Sequence, residues 1–169
     1  MSRAITSGGW ASRWIGPLAR WLAAALAAVT FSALAADAPY PGTIVMKTGH
    51  GFDQLVARLE NAIAANKMGL VAQASASRGA AARGVKIPGN AVLMVFRNDY
   101  AVRMLKASVP AGIEAPLRLY VTENPDGTAS ITYRLPSAVF APYGSSELDQ
   151  MANELDAIFR SIVRDAADG

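Results

Sequence analysis

Residues 117–135 read LRLYVTENPDGTASITYRL, the pattern of two antiparallel strands joined by a tight turn. Residues 124–127, Asn-Pro-Asp-Gly, place proline at the second turn position and glycine where a left-handed backbone is needed, which is typical of a three-residue loop with a bulge. If Asn124 pairs with Thr128, the apolar side chains meet on one face, in the pairs Leu117 with Leu135, Leu119 with Tyr133 and Val121 with Ile131. A slip of one residue separates these pairs, so the hydrophobic pattern specifies the register.

The opposite face of this hairpin carries mainly polar side chains, in the pairs Thr122 with Ser130, Tyr120 with Thr132 and Arg118 with Arg134. Two arginines opposite each other destabilise a sheet unless their charges are neutralised or screened. Three arrangements remain open for this pair. A carboxylate of Glu114, Glu123 or a second subunit makes an ion pair, a bound anion makes a binding site, or both side chains extend into water.

Outward from the hairpin, the spacing of apolar residues predicts the other elements. Strands are expected at 43–47, 70–76 and 91–96, and helices at 52–67, from Asn98 or Asp99 through Leu105, and from Ser146 onward. The unbroken apolar run 91–96 predicts a strand that is buried on both faces. The order β-α-β-β-α-β-β-α favours an α+β domain of two layers, in which helices cover one face of a largely antiparallel sheet.

The segments between these elements are expected to be less regular. Residues 77–90 are rich in glycine and predict a loop with a helical turn at 80–82. Residues 136–143 predict an irregular apolar stretch. Ser146 with Asp149 resembles a capping box. The last helix also has paired carboxylates that are expected on its solvated face, Glu147 with Asp149 and Glu154 with Asp156.

The first 35 residues have the layout of a secretory signal peptide. Arg3, Arg13 and Arg20 give a positive start without acidic residues, and residues 21–34 form an apolar run that is short for a membrane span. Ala33-Leu34-Ala35 supplies small residues before a cleavage point. We therefore expect Sec-type export of a bacterial protein to the periplasm or out of the cell, with no stable membrane insertion after cleavage.

The part of the chain after residue 35 carries no net charge. The whole chain has 16 basic and 13 acidic residues, and the three leader arginines account for the formal charge of +3. This balance argues against a nucleic-acid-binding protein. We expect a linker at 36–42 and a single domain at 43–169, which is long enough to bury one core. The chain has no cysteine, which excludes disulfides, thiol nucleophiles and thiolate metal sites.

Several short motifs around the hairpin follow one another in a fixed order, namely residues 115–123, Asp126-Gly127, Ile131-Thr132-Tyr133 and Pro136. Together they resemble the end of the DUF302 domain, a domain of unknown function. The resemblance extends back through Phe96-Arg97-Asn98, residues 84–88 and the helix that starts at Phe52, and it covers residues 43–144. It implies an α+β fold, is compatible with a homodimer and implies no specific activity.

Two segments depart from the pattern of that family. Many members have an Ile-Asp-His run near the end of the second strand, where this chain has Ala74-Ser75-Ala76-Ser77. Many also have Gly-Asn-Pro after the third strand, where this chain has Arg97-Asn98-Asp99. This chain therefore lacks the two side chains for any reaction that depends on that histidine and aspartate.

Few residues of the chain suit catalysis or metal binding. His50 is the single histidine, and a zinc or copper site normally needs several His or Cys ligands. We expect His50 to be a turn residue near the start of the first helix. The glycine-rich segment 77–90 lacks the Gly-Lys-Ser/Thr ending of a phosphate loop, so it is expected to be a surface loop. The sequence predicts no cofactor and no metal site.

The distribution of charge gives a better indication of function. Residues 78–106 carry six basic residues and one acidic residue, whereas nine acidic and four basic residues follow from Glu114 onward. Such asymmetry is found at ligand sites, at self-complementary contacts and in dipolar domains with two solvated halves. We expect an exported binding or accessory module rather than an enzyme. Its ligand is expected to be a small anion, held by Arg97, Asn98, Arg103, Arg118 and Arg134.

Two other functions remain open. One is a hydrolase or isomerase that uses His50 with a carboxylate of Asp53, Asp99 or Glu123. The other is a structural partner of another periplasmic protein. An imidazole bonded to a carboxylate in a pocket would favour the first, and an exposed apolar patch without a pocket would favour the second.

The leader pattern predicts that the exported chain begins at Ala36. Small residues at Ala33 and Ala35 follow the apolar run, which is the arrangement that signal peptidase cleaves. Intact-mass measurement of the exported protein should give a chain that starts at Ala36 or one residue later. A full-length product retained in the membrane would contradict this prediction.

Overall fold

The computed structural model describes residues 40–168, so the predicted leader and residues 36–39 of the predicted linker lie outside the described part. Five strands form one antiparallel sheet in the spatial order β1-β5-β4-β3-β2. Their bounds are Thr43–Lys47 (β1), Gly69–Ala74 (β2), Asn90–Phe96 (β3), Leu117–Glu123 (β4) and Ala129–Arg134 (β5). The hairpin therefore supplies two of the three inner strands.

Within residues 40–168, helices cover one face of this sheet and none covers the other, which we call the open face. Their bounds are Phe52–Ala65 (α1), Ala76–Ala81 (α2), Asn98–Ala107 (α3), Pro136–Phe140 (α4) and Ser146–Asp168 (α5), with 3-10 turns at Pro110–Glu114 and Ala141–Tyr143. Helix α1 contacts β3 and β4 and packs against α5. The fold is thus the α+β, two-layer arrangement that the sequence predicts.

The predicted register of the hairpin is confirmed from Leu119 to Glu123. Leu119 pairs with Tyr133 and Val121 with Ile131, and all four side chains are buried under the helices. At the turn, the Asn124 amide donates to the Thr128 carbonyl at 2.7 Å. Gly127 has φ +82°, a left-handed conformation that favours glycine. The ladder between β4 and β5 ends at Leu119 and Tyr133, so the predicted pairs Leu117 with Leu135 and Arg118 with Arg134 lie beyond it. Both arginines lie on the open face.

The prediction that β3 is buried on both faces is wrong. Ala91, Leu93 and Val95 are buried, whereas Val92, Met94 and Phe96 are only half-buried on the open face. An unbroken apolar run suits a parallel strand covered on both sides, but it also suits an antiparallel strand whose second face is apolar without being covered. These half-buried side chains give the open face an apolar centre.

Several element boundaries also differ from the prediction. Helix α1 ends at Ala65 rather than near Lys67, because Lys67 takes a left-handed conformation with φ 59° and β2 already starts at Gly69. Strand β2 ends at Ala74, and the expected loop contains α2, whose N-cap is Ser75. The stretch predicted as irregular contains α4. Helix α5 is capped by Ser145, not Ser146, since the Ser145 hydroxyl accepts from the Leu148 amide.

One of the carboxylates assigned to a solvated helix face is instead buried. Asp156 on α5 is 5% exposed and accepts hydrogen bonds from the Ser137 amide at 2.9 Å and the Ser137 hydroxyl at 2.8 Å. Ser137 lies in the first turn of α4, where amide groups have no partner within the helix. The buried carboxylate therefore attaches α4 to α5, and sequence spacing did not reveal it because α4 itself was not predicted.

The core lies between the closed face of the sheet and α1 and α5. Predicted core positions of α5 are buried, namely Leu148, Met151, Leu155, Phe159 and Ile162, while Ile158 is partly buried. Phe159 meets Tyr133 of β5 with ring centroids 5.9 Å apart, a contact between helix and sheet. Among residues 40–168, no helix has both the length and the apolar character that crossing a membrane requires.

Truncation of a side chain should have a large effect on one face of β4 and a small effect on the other. Leu119 is fully buried, so Leu119→Ala should lower the free energy of unfolding by about 2–5 kcal/mol, as other core truncations do. Thr122 is half-buried on the open face, and Thr122→Ala should change the free energy of unfolding by about half a kcal/mol at most. Denaturant titration measures both values, and equal losses would contradict the assigned faces.

Candidate functional site

The open face of the sheet is arranged in rows that cross neighbouring strands. One row contains Val92, Tyr120, Thr132 and Val45, which are paired in that order from β3 to β1. The next row contains Met94 paired with Arg118, and Arg134 paired with Thr43. Since same-face neighbours along a strand are about 7 Å apart, a small ligand can touch both rows.

A cleft of about 300 Å³ lies over these two rows. Its lining includes both arginines and the aromatic ring of Tyr120, together with Tyr40, Thr43, Val92, Glu114 and Thr132. This volume is at the lower end of the range for small-molecule sites, which are mostly apolar with a few well-placed polar groups. The lining has that composition.

Arg118 and Arg134 are the cationic groups of the cleft. Both are exposed, and within residues 40–168 neither forms an ion pair with a carboxylate. One Nη of Arg134 donates to the Ala138 carbonyl at 3.3 Å, which orients that guanidinium. Of the arrangements considered from the sequence, an ion pair with Glu114 or Glu123 is therefore absent from the described part of the chain.

The two carboxylates expected near these arginines have other partners. Glu114 lines the cleft and accepts a hydrogen bond from the Tyr143 hydroxyl at 3.0 Å. Burial and this carboxylate raise the pKa of Tyr143. Glu123 lies at the turn end of β4 and accepts from the Gly89 amide at 2.6 Å. The cleft thus contains two guanidinium groups and one carboxylate, which leaves one positive charge uncompensated.

Thr43 adds an unused hydrogen-bonding group. Its hydroxyl oxygen is buried and has no hydrogen-bond partner in the part of the chain that the structure describes. Thr43 pairs with Arg134 across β1 and β5 and lines the same cleft. Buried polar atoms are normally satisfied, so an unpartnered hydroxyl beside two arginines is a candidate contact for a ligand.

Comparison with known proteins assigns this fold to a family. The model of the family described as "Domain of unknown function DUF302" matches residues 44–166. The chain belongs to the DUF302 family. A crystal structure of an uncharacterised conserved DUF302 protein from Bacillus stearothermophilus has a TM-score of 0.67 at 18% identity and covers 75% of this chain and 99% of its own. This likeness shows the fold alone. A search of the curated proteins finds no match.

The remaining predicted ligand-binding residues of this DUF302 domain lie elsewhere, on α3 and at its N-cap. Arg97 binds Asp99 at 2.7 Å and its guanidinium carbon lies 4.3 Å from the centre of the Tyr100 ring. Asn98 begins α3 and is exposed. Arg103 donates to both carboxylate oxygens of Glu154, at 2.7 and 2.9 Å. The predicted set therefore divides into two groups, and only Arg118 and Arg134 share the cleft.

The arginines of α3 have carboxylates as partners within the domain. The Arg97 guanidinium lowers the pKa of Asp99 through its hydrogen bond, and Arg103 lowers the pKa of Glu154 in the same way. Arg103 joins the basic segment 78–106 to the acidic helix α5, so part of the charge asymmetry seen in the sequence is neutralised inside the domain. These pairs support a structural role for Arg97 and Arg103.

His50 does not meet the carboxylates proposed for a hydrolase or isomerase. Its Nε2 lies 3.0 Å from the Ala167 carbonyl, so the imidazole contacts the end of α5. The three carboxylates have partners elsewhere, Asp53 at 3.5 Å from Arg78, Asp99 at Arg97 and Glu123 at the Gly89 amide. Within residues 40–168, no group of three or more His, Asp or Glu side chains is arranged to hold a metal ion.

Sequence reasoning did not identify Thr43, Val92 and Tyr120 as parts of a site. The hairpin register predicts that Tyr120 lies on the same face as the arginines, but an aromatic side chain on a strand does not by itself indicate a binding contact. Val92 was assigned to a fully covered strand. The alternation along β1 places Thr43, Val45 and Lys47 on one face, and this signal would have located Thr43 once the pairing of β1 with β5 was known.

The Arg103–Glu154 pair predicts a pH-dependent contribution to stability. Because Arg103 lowers the pKa of Glu154 in the folded protein, the pair stabilises the fold above the pKa that Glu154 has in the unfolded chain. This contribution is lost as the pH falls through the folded pKa. Arg103→Gln should therefore raise the pKa of Glu154 and lower the melting temperature at pH 7, with the difference from wild type closing in acid.

Carboxyl titration by NMR and melting curves between pH 7 and pH 2 measure these two effects. Arg83→Gln is a suitable control, because Arg83 is exposed and has no ion-pair partner among residues 40–168. An unchanged pKa of Glu154 in Arg103→Gln would show that the pair is not formed in solution.

Proposed function

We propose that this domain is an exported module that binds a small anion in the cleft over β4 and β5. The observation that carries the proposal is the pair Arg118 and Arg134, which share one cleft without a carboxylate partner in residues 40–168. An arginine guanidinium presents several N–H donors in a planar fork, which suits carboxylate and phosphate groups.

The arrangement of charge supports an anion over a neutral ligand. Like charges on neighbouring strands repel, so an anion between Arg118 and Arg134 removes an unfavourable interaction as well as adding hydrogen bonds. The buried Thr43 hydroxyl beside them offers a further donor. A neutral ligand would leave the repulsion in place.

The place of action belongs to the same proposal. The positive start, the apolar run and the small residues of the first 35 residues support Sec-type export. We therefore place the anion-binding domain in the periplasm or outside the cell. His50 and the three carboxylates proposed as its partners each contact other groups instead, which supports binding rather than catalysis.

Thermal unfolding with added anions tests the proposed function. A ligand that binds only the folded state raises the melting temperature with its concentration, and at about 100 times its Kd it adds about 2.7 kcal/mol of stability. Acetate, benzoate and phosphate are suitable probes. We expect at least one of them to stabilise the wild type, and Arg118→Gln to abolish most of that effect. Without anion, Arg118→Gln should be at least as stable as wild type, because the repulsion from Arg134 is removed.

Arg83→Gln removes the same charge from an exposed position that does not line the cleft, and it should respond to anions like the wild type. Stabilisation that is equal in wild type, Arg83→Gln and Arg118→Gln would contradict the proposed site. Sedimentation should accompany the melting curves. A dimer that Arg118→Gln dissociates, together with no response to anions, would show that a carboxylate of a second copy is the partner instead.

A further inference from the structure

We infer that the ligand of this cleft is a monocarboxylate with a compact apolar body, such as an aromatic or branched-chain acid, and this inference rests on the proposed anion site. The carboxylate lies between Arg118 and Arg134. The apolar body lies over the neighbouring row, against the Tyr120 ring and Val92. The inference depends on the charge of the cleft, the order of its rows and the exposure of its apolar groups.

The charge of the cleft favours a ligand with one negative charge. Two guanidinium groups and the carboxylate of Glu114 line it, which gives a net charge of one positive unit. A monocarboxylate balances this charge. A dianionic phosphate would leave an excess negative charge close to Glu114, and like charges at short distance disfavour each other.

The row beside the arginines favours an apolar body on that ligand. Tyr120 is 40% exposed, which is high for a large side chain on a sheet. Val92 pairs with Tyr120, and both line the cleft. A fully polar anion bound at the arginines would leave this apolar surface in water, whereas a ring or branched chain covers it and gains from its burial.

The spacing of the rows limits the size of the apolar body. The arginine row and the Tyr120 row are separated by two residues along β4, about 7 Å. A carboxylate that carries one ring directly, or through one methylene group, reaches from the first row to the second. The cleft of about 300 Å³ accommodates a ligand of this size.

Titration of the full exported protein with benzoate, acetate, phosphate and benzyl alcohol separates these features. NMR amide shifts give both the affinity and the place of binding. We expect benzoate to bind about tenfold more tightly than acetate or phosphate, because burial of its ring adds to the same carboxylate contact. We expect benzyl alcohol to bind much more weakly, and the shifts to centre on the strands that carry Val92, Arg118 and Arg134.

Two variants of Tyr120 test the apolar row. Tyr120→Phe keeps the ring and should retain the preference for benzoate, whereas Tyr120→Thr keeps a residue suited to strands and should lose it with little change in acetate affinity. If Tyr120→Thr does not fold, Val92→Thr is the alternative, since it places a hydroxyl in the same row at nearly constant volume. Arg83→Gln again serves as the charge control.

Three results would overturn the inference. If acetate and phosphate bind as tightly as benzoate and Arg118→Gln weakens all three, the anion site stands and the apolar subsite is wrong. If benzyl alcohol binds as tightly as benzoate, the carboxylate is not recognised. If no anion binds at all, the proposed function fails together with the inference.

Discussion

The turn between β4 and β5 fixes which side chains face the helices. The Asn124 amide bonds the Thr128 carbonyl, and glycine at position 127 supplies the left-handed residue that this turn needs. Because side chains alternate along a strand, this one connection places Leu119 and Val121 in the core and Arg118 and Tyr120 on the open face. A shift of one residue would bury the arginine and expose the leucine, so the core and the cleft depend on the same register.

The arginines of the domain fall into two physical classes. Arg97 and Arg103 have carboxylate partners at 2.7 Å, stack near the Tyr100 ring and lower the pKa values of Asp99 and Glu154. Arg118 and Arg134 lie on neighbouring strands and line one cleft, without such a partner in residues 40–168. The charge of the first class is already balanced by carboxylates of the domain. The second class has like charges on one face of the sheet, which the proposed anion would neutralise, and this difference is the basis of the proposed site.

Much of the fold was predictable because its signals are local. The hairpin turn, the alternation in β1 and the apolar stripe of α5 each specify their own element, and the α+β order follows from them. The errors concern contacts between distant segments. Whether the second face of β3 is covered depends on where the helices pack, and the burial of Asp156 depends on α4, which has only five residues. For the site, the sequence placed Arg118 and Arg134 together but added Arg97 and Arg103, since a charge count along the chain contains no information on which carboxylates fold against them.

The segment that departs from the family pattern gives a last indication about chemistry. Where many members have Ile-Asp-His, this chain ends β2 at Ala74, and Ala74 pairs with Val92 in the row that contains Tyr120. The two serines that follow are engaged in local structure. Ser75 caps α2 by accepting from the Arg78 amide, and the Ser77 hydroxyl accepts from the Asn90 amide at 3.1 Å.

A small alanine therefore extends the apolar row towards the sheet edge. General acid–base chemistry needs a titratable group within hydrogen-bond reach of the reacting atom, and in this cleft Glu114 is already bonded to Tyr143. Within residues 40–168, Arg118 and Arg134 have no carboxylate partner and the Thr43 hydroxyl has no hydrogen-bond partner, and all three can donate hydrogen bonds to an anion. These donors are the groups that the proposed carboxylate ligand would meet in the cleft.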